Sequence, residues 1–153
     1  MSHPLLGKPA PDFELVNQHG RPVKLSELRG KPVLIVFVPF AFSELCSSEI
    51  TELRDAMDID GLGDVTPLII SCDSVYSLKS WANKHDYLGD VLSDFWPHGD
   101  VAREYGVFNP QKGLATRGSF LVDHEGVVRW SVVNPPGEVR QTQSYFDAIA
   151  ALS

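Results

Sequence analysis

Apolar and polar positions along the chain change period several times, and each change predicts an element. After an irregular lead-in over residues 1–11, broken by Pro4, Gly7, Pro9 and Pro11, the residues Phe13, Leu15 and Val16 are interleaved with polar neighbours. The turn cluster Asn17-Gln18-His19-Gly20 follows, and Val23 and Leu25 resume the apolar pattern. This order spells a short N-terminal β-hairpin. Ser26 is placed to cap a single helical turn that runs through Leu28 and stops at Gly30. The run Val33-Leu34-Ile35-Val36-Phe37-Val38, bounded by Pro32 and Pro39, has no alternation at all. Successive apolar residues, several of them β-branched, describe a strand buried on both faces, which requires helices above and below it.

From Ser43 to about Asp58 the period becomes helical, with Cys46, Ile50, Leu53 and Met57 on one stripe, and Gly61 and Gly63 then break the chain. A second buried run, Leu68-Ile69-Ile70, lies within Val65–Ser71, and a helix over Ser74–Tyr87 presents Leu78, Trp81, Ala82 and His85 on one side. Val91-Leu92 reads as a brief strand, and Asp100–Tyr105 as a short helix capped by its aspartate. Phe120-Leu121-Val122, the turn Asp123-His124-Glu125-Gly126, and Val127–Val132 form the clearest hairpin in the chain. A last helix over Glu138–Leu152 turns Tyr145, Ile149 and Leu152 inward. Strands alternating with helices, closed by a hairpin and a helix, predict one α/β domain over residues 1–153, with a mixed central sheet and helices on both faces.

Composition narrows the function classes. At 153 residues and 43% apolar content, one core suffices and no disulfide staple is needed. The longest apolar run is far shorter than the roughly 20 residues of a membrane span. The first residues show no charged region followed by an apolar stretch, which predicts no secretory leader. Two cysteines 26 positions apart make a poor disulfide framework and suit a reduced, cytoplasmic protein. The net charge of −7 is scattered, with no basic run, which argues against nucleic acid as a partner. The histidines His3, His19, His85, His98 and His124 are dispersed, and none pairs with a cysteine at a ligand interval, so no metal site is expected.

The segment from Pro39 to Cys46 carries the candidate chemistry. It begins where a buried strand ends and finishes in the first turn of a helix, a place where α/β sheets tend to bind ligands. Ser43 is a credible N-cap, which makes Cys46 the third helical residue. There the unpaired amides and the helix dipole favour an anion, and an adjacent cation would add to this. Cys46 is equally in register with the apolar stripe, as a packing cysteine would be. Position and stripe leave the nucleophilic and the structural reading balanced.

The motif Pro39-x-x-x-Ser43-x-x-Cys46 matches the signature P-x-x-x-[ST]-x-x-C at every defined position. Ala10-Pro11-Asp12-Phe13, Glu49 and Arg117-Gly118-Ser119-Phe120-Leu121-Val122-Asp123 follow in the same order as in that signature's family. On these residues the chain resembles the peroxiredoxins of the AhpC/TSA superfamily. Ser93-Asp94-Phe95-Trp96-Pro97-His98-Gly99, followed by Tyr105-Gly106-Val107-Phe108, is most similar to the AhpE-type one-cysteine peroxiredoxins of actinobacteria. The resemblance implies a thioredoxin-like fold and a thiol-dependent peroxidase without cofactor. Cys46 would attack hydrogen peroxide, an organic hydroperoxide or peroxynitrite and become a sulfenic acid. Ser43 Oγ and the Cys46 amide would bond the peroxide oxygens, Arg117 would stabilise the thiolate and the leaving oxygen, and Pro39 would shield the sulfur from water. Glu49 would orient Arg117. Phe40, Phe42 and Trp96 could line the pocket mouth, and a homodimer would form near Phe40, Trp96 and Phe108. Arg140 reads as a surface residue at a helix start, with a second cation at the site as the alternative.

Recycling needs a thiol. Cys72 ends a central strand, where a structural role outweighs a resolving one, and Thr51 occupies the position where one subclass carries its resolving cysteine. A one-cysteine mechanism with an external thiol is therefore expected: mycothiol with a mycoredoxin, or a thioredoxin-like protein. Two rivals differ in class. A thiol–disulfide oxidoreductase needs Cys-x-x-Cys, and Glu49 stands where its second cysteine would be. A non-catalytic binding or chaperone module would not require Pro39, Ser43, Cys46 and Arg117 together.

Overall fold

A computed structural model of the chain describes residues 3–59, 61–135 and 137–152. Met1 and Ser2 of the lead-in, and Pro136 ahead of the last helix, lie outside the described residues. The N-terminal hairpin pairs β1 (Glu14–Asn17) with β2 (Pro22–Lys24), antiparallel, with Glu14 opposite Lys24. The apolar run forms β3 (Val33–Phe37), buried throughout, and the second run forms β4 (Thr66–Ser71). β5 (Asp90–Ser93) completes a parallel trio with them. A small hairpin of β6 (Phe108–Asn109) and β7 (Leu114–Ala115) was not anticipated, being only two residues per strand. β8 (Arg117–Val122) and β9 (Val128–Asn134) form the expected closing hairpin.

The main sheet has seven strands in the order β2-β1-β5-β4-β3-β8-β9, so β3 sits inside it with β4 parallel on one side and β8 antiparallel on the other. Strand pleating splits β3 between two cores. Leu34, Val36 and Val38 join a cluster with Cys46, Ile50 and Leu53 of α1 (Glu44–Asp58), Leu78 and Trp81 of α2 (Val75–Lys84), and Tyr145 and Ala148 of α4 (Thr142–Ala150). Val33, Ile35 and Phe37 face the other way, onto Phe13, Phe120, and Val101 and Ala102 of α3 (Asp100–Glu104). Among the described residues helices cover both faces, three on one and the short α3 on the other. The two crossovers β3-α1-β4 and β4-α2-β5 advance in the same direction across the sheet, which puts both helices on one face by the handedness rule. The arrangement is the mixed-sheet, thioredoxin-like architecture.

Two capping expectations and one helix boundary are corrected. The turn at Leu25–Leu28 is a 3₁₀ turn with Lys24 at its N-cap, and the Ser26 amide donates to Asp12 Oδ1 at 2.9 Å. α3 begins after Gly99, whose φ of 71° is left-handed, and Asp100 is not its cap. Instead the buried Asp94 carboxylate accepts from the amides of Val101 (3.1 Å) and Ala102 (2.9 Å). α4 starts at Thr142 rather than Glu138, and ahead of it the Arg140 N–H donates to Glu49 Oε2 at 3.1 Å. His85 is only half-buried, at the C-terminal end of α2.

Candidate active site

Ser43 caps α1 with extended backbone (φ −67°, ψ 150°), and its Oγ accepts the amide of Cys46 at 3.2 Å. That bond satisfies one of the unpaired N–H groups of the first turn and fixes Cys46 as the third helical residue. Cys46 has no exposed surface. Val38, the last residue of the strand run, still bonds β4 through its amide to Ile70 O (3.0 Å). Pro39 follows half-buried, and Phe40 and Phe42 are half-exposed. Phe42 has φ 69°, a left-handed conformation that costs an ordinary residue about 1–2 kcal/mol. The loop is therefore held in place by its surroundings rather than by its own preference.

β8, the antiparallel neighbour of β3, delivers Arg117. Its guanidinium Nη1 donates to Cys46 Sγ at 3.5 Å and also to Glu49 Oε1, with both arginine and glutamate side chains almost wholly buried. Glu49 comes from the next turn of α1, three residues after the cysteine, so the helix itself aligns the two groups. Its carboxylate is shared. Arg140 donates to Oε2 through Nε (2.7 Å) and its own amide (3.1 Å), and to Oε1 through Nη2 (2.9 Å). The remaining Arg140 nitrogen, Nη1, reaches Phe37 O (2.7 Å), Gly118 O (2.9 Å) and Ser119 Oγ (3.1 Å). Arg140 is thus one of the most buried polar residues, which corrects its reading as a surface residue. Nothing local marks it, because its partners lie in α1, β3 and β8.

Burial alone would raise the Glu49 carboxyl, but the Arg140 hydrogen bond and the charges of Arg140 and Arg117 hold it below the usual carboxylate range. Burial would likewise pull Arg140 down, and the Glu49 hydrogen bond more than offsets it, leaving Arg140 raised. Among the described residues two guanidinium groups face one carboxylate, and Cys46 Sγ lies 3.5 Å from Arg117 Nη1. A negative sulfur would add a second anion beside the two cations. Arranged this way, the site can hold a sulfur anion and then meet charge that moves from sulfur to a neighbouring oxygen.

The three aromatic pocket candidates divide. Phe40 and Phe42 lie in the loop before Cys46, whereas Trp96 is 81% exposed on another loop. It lines a groove of about 620 Å³ with Val16, Tyr76 and Phe95, whose lining includes none of Pro39, Ser43, Cys46 and Arg117. Among the described residues, no cluster of metal-ligating side chains occurs and no helix is long and apolar enough to cross a membrane.

This geometry can be set beside known proteins. The model of the AhpC/TSA family matches residues 6–131. The chain belongs to that family. Among curated peroxiredoxin relatives, alkyl hydroperoxide reductase E of Mycobacterium tuberculosis is 44% identical over 149 residues, 97% of either chain. A putative peroxiredoxin in the rubredoxin operon of Clostridium pasteurianum is 35% identical, covering 85% of this chain and 79% of that one. Of solved structures, the reduced 2-Cys peroxiredoxin of Plasmodium vivax superposes with a TM-score of 0.84 at 28% identity, over 97% of this chain and 81% of that one. The protein is a peroxiredoxin, a thiol-dependent peroxidase, and the resemblance read from its motifs holds.

Proposed function

We propose that Cys46 is the peroxide-reducing nucleophile, and that hydrogen peroxide, organic hydroperoxides or peroxynitrite are its substrates. The observation that carries this is the buried Arg117–Glu49–Arg140 set, whose Arg117 Nη1 donates to Cys46 Sγ at 3.5 Å. The thiolate attacks the terminal oxygen of the peroxide. An S–O bond forms, the O–O bond breaks, and the departing oxygen takes up a proton to leave as water or an alcohol, or leaves as nitrite from peroxynitrous acid, while the sulfur becomes a sulfenic acid. Arg117 meets the negative charge as it moves along that line. Ser43 Oγ already accepts the Cys46 amide, so its hydroxyl proton is the part that serves the peroxide oxygen. Pro39 offers no N–H and screens the sulfur at the loop side.

Reduction of the sulfenic acid comes from an external thiol in a one-cysteine cycle. Cys72 supports this reading: burial, followed by the charges of Asp94 and Asp73, pushes its thiol up to about 12, which makes it a poor attacking group. Likeness to the mycobacterial relative favours mycothiol with a mycoredoxin, ahead of a thioredoxin-like protein, in a cytoplasmic setting. A homodimer built near Phe40, Trp96 and Phe108 completes the proposal, on a single domain spanning the chain.

Stopped-flow tryptophan fluorescence of the reduced protein mixed with hydrogen peroxide tests the nucleophile, beside Cys46→Ser. Fast second-order oxidation that vanishes in the variant is the expected result. Oxidation no faster than that of a free thiol, with hydrogen peroxide and with an organic hydroperoxide, would remove Cys46 from the role.

A further inference from the structure

The loop that roofs Cys46 has one conspicuous tether. Of residues 39–42, Ala41 alone has its amide hydrogen-bonded among the described residues, and it donates not to backbone but to Asp73 Oδ2 at 2.8 Å. The partner is itself fixed from both sides. Ser71, fully buried at the end of β4, donates its hydroxyl to the same carboxylate oxygen, and the Asp73 amide donates back to Ser71 Oγ at 3.1 Å. The Asp73 carbonyl accepts Ser93 Oγ from β5 at 2.7 Å. Two strands thus hold a carboxylate out to a loop whose next residue, Phe42, is left-handed.

We propose that Asp73 is a positioning residue for peroxide reduction: it clamps Ala41 so that Pro39 and Ser43, on either side, stay aligned over Cys46. The inference rests on Cys46 being the nucleophile, as proposed above. Its consequence is directional. Peroxide must be gripped by aligned groups, and a misplacement of about 1 Å can cost on the order of 10²-fold. A haloacetamide needs only an accessible thiolate, and Cys46 has no exposed surface while the loop is seated. Releasing the clamp therefore slows one reaction and speeds the other, whereas general loss of structure would not separate them.

The test compares wild type, Asp73→Ala, Asp73→Asn and Ser71→Ala, with circular dichroism as a check of folding. Oxidation by hydrogen peroxide is followed by stopped flow, and iodoacetamide labelling by mass spectrometry of the Cys46 peptide. Asp73→Ala is expected to lower the peroxide rate constant by roughly 10–100-fold while raising the alkylation rate. Asparagine can still accept the Ala41 amide, so Asp73→Asn should return the peroxide rate to within about threefold of wild type. Ser71→Ala, which frees the carboxylate without removing it, should show a smaller split in the same direction, and decides the matter if Asp73→Ala does not fold. A fast wild type with both rates unchanged, or lowered in proportion, in the folded variants overturns the role of Asp73. A wild type with no fast reaction towards peroxide overturns the nucleophile reading, and this inference with it.

Discussion

Cys46 and Cys72 lie beyond the carboxyl ends of neighbouring parallel strands, β3 and β4, and both are buried, the first at 0% exposure and the second at 7%. At Cys72 burial opposes a thiolate. What separates the two cysteines is the sign of the charge that the fold sets nearby. Cys46 occupies the first turn of α1, where the helix N-terminus and Arg117 both favour negative charge on sulfur. Cys72 follows a strand, has no helix of its own, and faces the carboxylates of Asp94 and Asp73, which with burial raise its thiol to about 12. The more buried cysteine is the one proposed as the nucleophile, and the two differ in the charges set around the sulfur rather than in exposure.

The comparison can be broken by altering the charges on the Cys46 side. Glu49→Gln has the largest expected effect, because it leaves Arg117 and Arg140 buried without their counter-charge. Removing one partner of a buried ion pair costs about 3–5 kcal/mol, which urea denaturation at pH 7 would register. The sign of the pH dependence follows from the Glu49 carboxyl being lowered in the folded protein. Its contribution is present above the unfolded value of about 4.3 and is lost as pH falls through the folded value. The wild type should therefore lose part of its stability on acidification below about pH 4, and the variant should lack that part.

Next comes Arg117→Ala. It removes the donor to Cys46 Sγ but leaves Glu49 paired with Arg140. The oxidation rate with hydrogen peroxide should fall by about 10²–10³-fold, in line with loss of one preorganised donor, while stability changes less than in Glu49→Gln. Equal damage from the two variants to both rate and stability would mean that the arginine–glutamate set is a packing device.

The smallest effect is expected on the other side of the comparison. Cys72→Ser should leave single-turnover oxidation and turnover with an external thiol unchanged to within about twofold, since a thiol raised to about 12 holds almost no thiolate at neutral pH. Single-turnover oxidation that survives while turnover collapses would make Cys72 the resolving thiol.

Much of this molecule was legible in the chain, and the reason lies in which free energies are local. The unbroken run at Val33–Val38, the helical stripe of Cys46, Ile50 and Leu53, and the hairpin around Asp123–Gly126 all appear where the pattern places them. Periodicity reports which face of an element is buried, and that preference is written residue by residue. The capping of α1 by Ser43 is equally local, being a contact across three residues. Caps provided from afar escaped notice. Asp94 closes the start of α3 across seven and eight residues, and Asp12 bonds Ser26 across fourteen.

By itself, then, the sequence determined the α/β order of elements, the placing of Cys46 in a helix's first turn at a strand's end, and, through its motif, the family. The resemblance named Arg117 and Glu49 for the Cys46 side, but only the tertiary structure brought Arg140 to that set and the carboxylates of Asp94 and Asp73 to Cys72. Arg117 meets Glu49 across 68 residues and Arg140 meets it across 91, and the latter has no pattern to distinguish it from a surface arginine. Long-range ion pairs depend on strand order and crossover handedness, which no window of sequence contains.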